Sequence, residues 1–96
     1  MSFTVQVLPE ATEEVTEIFA YYEGEQQGLG QRFQHALNEC YRSLALNPSG
    51  QKRKGDFRHA MVHKFPYRVV YEVRGQLVLI YQVRHTSRRP SRKFGP

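Results

Sequence analysis

Two side chains in the C-terminal half of the chain are of the types needed to break a phosphodiester bond. Arg68 can hold a phosphate through a bidentate guanidinium, and the imidazole of His85 can pass a proton. Cleavage of RNA by its own 2′-hydroxyl needs a base, an acid for the leaving oxygen and cations on the phosphate. Side chains can supply all three without a metal. Arg58 and the run Lys52-Arg53-Lys54 can add positive charge. Whether these groups meet depends on how two stretches of chain pair.

The stretches are Phe65-Pro66-Tyr67-Arg68-Val69-Val70-Tyr71-Glu72-Val73 and Leu77-Val78-Leu79-Ile80-Tyr81-Gln82-Val83-Arg84-His85, joined by Arg74-Gly75-Gln76. Both are rich in β-branched and aromatic residues and read as the strands of a hairpin. Gly75 suits the first central position of a two-residue II′ turn. That turn sets Arg74 opposite Leu77, Tyr71 opposite Ile80 and Arg68 opposite Val83. One face then carries Tyr67, Val69, Tyr71, Val73, Val78, Ile80, Gln82 and Arg84 and is the expected core side. The other carries Arg68, Val70, Glu72, Arg74, Leu77, Leu79, Tyr81, Val83 and His85. On this mixed face Arg68 and His85 are diagonal neighbours, roughly 7–8 Å apart, with Tyr81 close by. Residue types alone favour a solvated or partner-binding surface there over a catalytic one.

Other chemistries find less support. His59 and His63 have a helical metal-ligand spacing, but in a strand they stand roughly 13 Å apart, too far for one ion. No metal or other cofactor is expected. Gly24, Gly28 and Gly30 form no phosphate-cradling pattern. Cys40 is a lone cysteine among apolar neighbours at helical spacing and reads as a buried, inert thiol.

The elements that must position the hairpin follow from periodicity. Residues 3–8 alternate apolar and polar and read as a strand ended by Pro9. Pro9 with Glu10, Glu13 and Glu14 suits a helix start. Ala11, Val15, Ile18, Phe19 and Tyr22 make its apolar stripe as far as about Glu25, and the acidic opposite side reads as a solvated face. Gly24 to Gly30 lets the chain reverse. Leu29, Phe33, Ala36, Leu37, Cys40, Tyr41 and Leu44 then mark a second helix, stopped by Asn47-Pro48. Residues 48–56 read as a basic loop and residues 57–64 as a further strand. The expected order is β-α-α-β-β-β, an α+β fold in which a two-helix hairpin packs on one face of a small antiparallel sheet.

Ninety-six residues are expected to make a single domain over 1–96, with a basic C-terminal tail from about residue 86. No run approaches the length of a membrane span and the first residues do not read as a signal peptide, so a cytoplasmic protein is expected, without membrane partners. The net charge of +5 hides an asymmetry. Up to Asn47 two basic residues stand against seven acidic ones; from Pro48 onward twelve stand against two. The basic half calls for a negatively charged partner, whether nucleic acid or an acidic protein segment.

Several of these features together resemble the RelE/ParE superfamily of bacterial toxins from type II toxin–antitoxin systems. They are Val7-Leu8-Pro9-Glu10-Ala11 opening a helix, Asn47-Pro48 after the second helix, Gly55 and Arg58, the Phe65–Val73 run, and Val83-Arg84-His85 followed by Arg88-Arg89. The resemblance covers most of the chain in the same order, and Pro66-Tyr67-Arg68-Val69-Val70-Tyr71 is its most specific part. It implies the fold just derived and a cognate antitoxin that wraps the toxin with an extended or helical segment. It also implies one of two targets. RelE-like members cleave mRNA in the ribosome as metal-independent endoribonucleases, whereas ParE-like members bind DNA gyrase and are not nucleases.

In the ribonuclease branch the strand arginine matches Arg68 and a histidine near the end of the last strand matches His85. A C-terminal tyrosine or a glutamate before the second strand is usual in that branch; this chain has Phe94 and Asp56 instead. The Phe65-Pro66-Tyr67 turn and the Arg84-His85-x-x-Arg88-Arg89 ending are closer to the ParE side. The favoured expectation is therefore a gyrase-binding toxin, with ribosome-dependent mRNA cleavage by Arg68 and His85 as the alternative. An inactive relative that only binds its partner is a third reading. Lys52, Lys54, Arg58, Arg84, Arg88 and Arg89 are the expected target- or RNA-binding residues. Leu77, Leu79, Tyr81 and Arg74 form the expected antitoxin patch, because a monomer rarely leaves such an apolar group open.

Overall fold

A computed structural model describes residues 2–50 and 52–87. The chain forms β1 (Thr4–Val7), α1 (Pro9–Glu25), α2 (Leu29–Leu46), β2 (Lys52–Lys54), β3 (Phe57–Met61), β4 (Tyr67–Arg74) and β5 (Leu77–His85). The strands make one five-stranded sheet in the order β1-β5-β4-β3-β2. Two helices cover one of its faces, as the α+β expectation had it.

Three expectations about the sheet need correction. The sheet is mixed, because β1 runs parallel to β5; a strand followed by a helix pair can return on either side, and local sequence does not say which. The basic stretch is not all loop, since Lys52–Lys54 adds a short edge strand beside β3. The second expected strand is shorter than 57–64. It stops at Met61, and a tight turn follows in which Val62 N–H donates to the Tyr67 carbonyl at 3.0 Å. Lys64 takes φ +67° in that turn, a left-handed conformation that costs a side chain with a Cβ.

Helix α1 starts as its sequence demands, with Pro9 in the first turn and Glu10 near the positive end of the dipole. The reversal into α2 is held by one side chain. Glu23 accepts Gly28 N–H at 2.8 Å on one carboxylate oxygen and Gly30 N–H at 2.9 Å on the other, satisfying amides that a helix start leaves open. Gly28 itself needs φ +87°.

The core lies between the helix pair and the centre of the sheet. Ala11 of α1 and Phe33, Leu37 and Leu44 of α2 meet Tyr67, Val69 and Tyr71 of β4 and Val78, Ile80 and Val83 of β5. At one end Tyr22, Phe33, Phe65 and Tyr67 form an aromatic group, with centroids 5.2–6.1 Å apart and mostly edge-on. At the other end Tyr71 reaches Gly50, whose N–H donates to the phenol oxygen at 2.8 Å. Among the described residues no helix is long and apolar enough to cross a membrane.

Candidate functional site

The β4–β5 hairpin begins in the expected register. Arg74 lies opposite Leu77, Glu72 opposite Leu79 and Tyr71 opposite Ile80. Gly75 has φ +57°, as the first position of a II′ turn requires. The next pair is Val70 with Gln82, so Tyr81 is an extra residue in β5 and the ladder carries a bulge. From there the expected register is overturned: Arg68 faces Arg84, not Val83, and Tyr67 faces His85.

The physical reason is burial. A continuous register directs Gln82 and Arg84 under the helices and leaves Val83 outside. The bulge turns Val83 into the core, 2% exposed, and moves Gln82 and Arg84 to the opposite face. Burying valine is worth about 1.5–3 kcal/mol, and burying an unpaired guanidinium is costly. The signal was present in the sequence, because the expected core face ended on two polar residues.

The bulged residue is anchored on the outer face, the one turned away from the helices. Tyr81 Oη donates to Glu72 Oε1 at 3.1 Å, and Arg74 Nε reaches the same oxygen at 2.7 Å. Phe57 stacks edge-on against the Tyr81 ring, with centroids 5.0 Å apart. Partial burial, then the Glu72 carboxylate, push the Tyr81 phenol above its ordinary pKa. Of the expected antitoxin patch, Leu77 is exposed and Leu79 half-buried, while Tyr81 and Arg74 already hold the buried Glu72. Met61 adds a further exposed apolar group beside Arg68, its partner across β3 and β4.

Arg68 and His85, expected on one face, lie on opposite faces. Arg68 belongs to the outer face with Arg84 and Met61, while His85 turns toward α1 with Tyr67, whose ring it meets edge-on at 5.1 Å. Arg58 does not join Arg68 either. It pairs with Tyr71 on the helix side and donates to the Gly50 carbonyl at 2.8 Å, a bond that fixes the segment before β2. The side chains of Lys52 and Lys54 lie outside the described residues, as do Arg88 and Arg89 with the rest of the expected tail from residue 88.

His85 sits in a cleft of about 270 Å³ between α1 and the end of β5, which it lines with Glu14, Glu17, Tyr21, Tyr67 and Arg84. The cleft exists because β1 pairs with β5 only as far as Ile80, so the last residues of β5 have a free edge. Glu14 caps that edge: one carboxylate oxygen accepts Val83 N–H at 2.9 Å and the other lies 3.6 Å from Arg84 Nη1. Desolvation raises the Glu14 pKa, against the lowering effect of the Val83 amide and of Arg84, and Glu10 and Glu17 add to the rise. His85 Nδ1 accepts Ser87 N–H at 3.1 Å and lies 2.7 Å from Ser87 Oγ.

Among the described residues, the cleft sets the carboxylates of Glu14 and Glu17 beside one arginine, Arg84, which is already paired with Glu14. By sequence alone, Glu14 and Glu17 belong to a solvated helix face. Only a contact spanning 69 residues, from Glu14 to Val83, reveals their place.

Comparison with known proteins is consistent with this architecture. The family model described as ParE toxin of type II toxin-antitoxin system, parDE, matches residues 5–90. No curated protein matches the chain in sequence. A solved structure described as the chromosomal ParDE TA system from P. aeruginosa is similar with a TM-score of 0.80, covering 90% of this chain and 98% of that one. At 12% sequence identity the likeness is one of fold.

Proposed function

The chain belongs to the ParE toxin family of type II toxin–antitoxin systems, and on that footing we propose that it arrests growth by binding DNA gyrase rather than by cutting RNA. The observation that carries this reading is the β5 bulge. It parts Arg68 from His85 and leaves the histidine beside Glu14 and Glu17, which favours protein contact over phosphate chemistry. A gyrase-binding toxin acts in the cytoplasm. The outer face supplies a cation for the target at Arg68, Arg84 being partly engaged by Glu14 at 3.6 Å, and Arg88 and Arg89 add charge further along the sequence.

Neutralisation falls to a cognate antitoxin covering the exposed apolar part of the outer face. Leu77, Leu79 and Met61 supply burial there, and acidic residues of the partner meet Arg68. Arg74 contributes less, being already bonded to Glu72 at 2.7 Å.

Purified toxin should inhibit gyrase supercoiling at stoichiometric concentration while total RNA and ribosome-bound mRNA stay intact, and added antitoxin should restore the activity. Translation-dependent mRNA cleavage that disappears in both Arg68→Ala and His85→Ala would instead establish the ribonuclease alternative.

A further inference from the structure

The cleft between α1 and the end of β5 differs in charge from the molecule around it. The chain carries a net charge of +5, yet the charged side chains lining this cleft are Glu14, Glu17 and a single arginine, Arg84. His85 adds no positive charge in this arrangement, because its Nδ1 accepts Ser87 N–H at 3.1 Å and a ring nitrogen that accepts carries no proton. Glu14 is committed on both oxygens, one to Val83 N–H and the other to Arg84 at 3.6 Å. Glu17 is not. Its carboxylate is exposed and has no hydrogen-bond or ion-pair partner among the described residues.

Aromatic rings complete the wall. Tyr67 is 6% exposed and offers only an edge of surface, whereas Tyr21 is 60% exposed and stands four residues, about one helical turn, after Glu17 on α1. An open ring beside an uncommitted carboxylate is the pair that holds a guanidinium, which lies on the ring while its N–H groups donate to the oxygens. The cleft of about 270 Å³ is smaller than the roughly 300–1,000 Å³ of sites that enclose a whole small molecule. It suits one long side chain.

We propose that this cleft receives an arginine side chain projecting from the target protein, its guanidinium donating to Glu17 and packing on Tyr21 while its aliphatic stem lies against Ile18 and Tyr67. The inference rests on the gyrase-binding reading above and adds a point of contact on the toxin. Charge selects the occupant. A phosphate or an acidic side chain is repelled by Glu17, and an antitoxin segment that neutralises a basic toxin brings acidic residues, whose place is the outer face with Arg68. An apolar side chain would desolvate Glu17 and leave it unpaired. Lysine fits less well than arginine, because its ammonium is a strongly hydrated point charge with no plane to lie on the ring. A second copy of this chain owns arginines too, but its net charge of +5 opposes its approach to the first.

The test uses the full-length toxin and purified DNA gyrase. Glu17→Gln keeps the size of an exposed helical side chain and removes its charge, so the melting temperature of the toxin should stay within a degree or so of the wild type, roughly as for a surface change. Gyrase binding by calorimetry and inhibition of supercoiling should both weaken about tenfold, the worth of one well-placed charge-assisted contact. Glu39→Gln removes the same charge from α2 outside the cleft and should change neither. Tyr21→Leu should weaken binding about fivefold and Tyr21→Phe should restore it, because the ring and not the hydroxyl meets the cation. Methylguanidinium, titrated into labelled toxin and followed by NMR, should shift the amides of Glu17, Tyr21 and His85 in the wild type and not in Glu17→Gln. Glu17→Gln toxin that binds gyrase as tightly as Glu39→Gln, or a wild type that methylguanidinium leaves unshifted, overturns the inference while the gyrase reading stands. An equal loss of antitoxin affinity in Glu17→Gln, or a wild-type dimer that this substitution dissolves, gives the cleft to another occupant and overturns it as well. A wild-type toxin that does not bind gyrase at all defeats both.

Discussion

The bulge at Tyr81 makes a quantitative statement about Val83. With the bulge, Val83 faces the helices at 2% exposure. Val83→Ala removes two methyl groups, about 1.6 kcal/mol at roughly 0.8 kcal/mol per buried carbon. A residual cavity term brings the cost to about 2 kcal/mol, because the strand, paired with Val69 on one side and held to Glu14 through the Val83 N–H on the other, cannot close over the gap. For a domain of this size that corresponds to a drop of about 10 °C in Tm. In a continuous register Val83 stands on the outer face, where the same change costs within about 0.5 kcal/mol. Urea unfolding followed by far-ultraviolet circular dichroism measures the difference directly, with an unchanged m-value showing that both variants unfold from the same compact state. Leu79→Ala is the comparator, half-exposed on the outer face and expected to cost under about 1 kcal/mol. A Val83→Ala variant as stable as the wild type, or one less perturbed than Leu79→Ala, refutes the register and with it the separation of Arg68 from His85.

Other substitutions probe the remaining contacts. Glu14 has a folded-state pKa raised above its unfolded value, so its protonated form is favoured by folding; the stability it contributes is present below pH 4.5 and lost as pH rises through the folded value. Glu14→Gln keeps an acceptor for Val83 N–H and should raise Tm at pH 7 but not at pH 4, and an equal change at both pH values would contradict this. A Cβ at Gly50 would overlap the Tyr71 hydroxyl and crowd the His59 carbonyl, so Gly50→Ala should destabilise by about 1–3 kcal/mol in the same unfolding assay. Lys64→Gly relieves the left-handed conformation at φ +67° and should stabilise by about 0.5–1 kcal/mol after the entropy cost of glycine. Burial pushes the Cys40 thiol up to about 11, two units above its ordinary value, so folded protein should react with thiol reagents roughly 100-fold more slowly than urea-unfolded protein.

The gap between expectation and structure at the candidate site has one cause. Uninterrupted strand pairing from Gly75 holds only as far as Tyr71 and Ile80. Beyond that point the alternation in Gln82-Val83-Arg84 is out of phase with the core, and the chain resolves the conflict by inserting Tyr81. Arg58, assigned to the basic patch by charge alone, is drawn to Gly50 by a carbonyl eight residues back. Glu14 is one acidic residue among several on α1 until β5 arrives beside it.

Local chemistry therefore settled what depends on neighbours in the chain. Pro9 and the glutamates start α1, Asn47-Pro48 stops α2, the stripes through Phe33, Leu37 and Leu44 bury, and Gly75 turns the hairpin. These follow from periodicity and backbone preference, which a short window of sequence contains. The tertiary structure alone decided that β1 joins β5 in parallel, that Lys52–Lys54 pairs as an edge strand, and on which face each residue after Ile80 stands. Those outcomes balance burial of Val83 and solvation of Arg84 against ladder bonds between segments far apart in sequence. No local pattern encodes that balance, because its terms exist only once the strands have met.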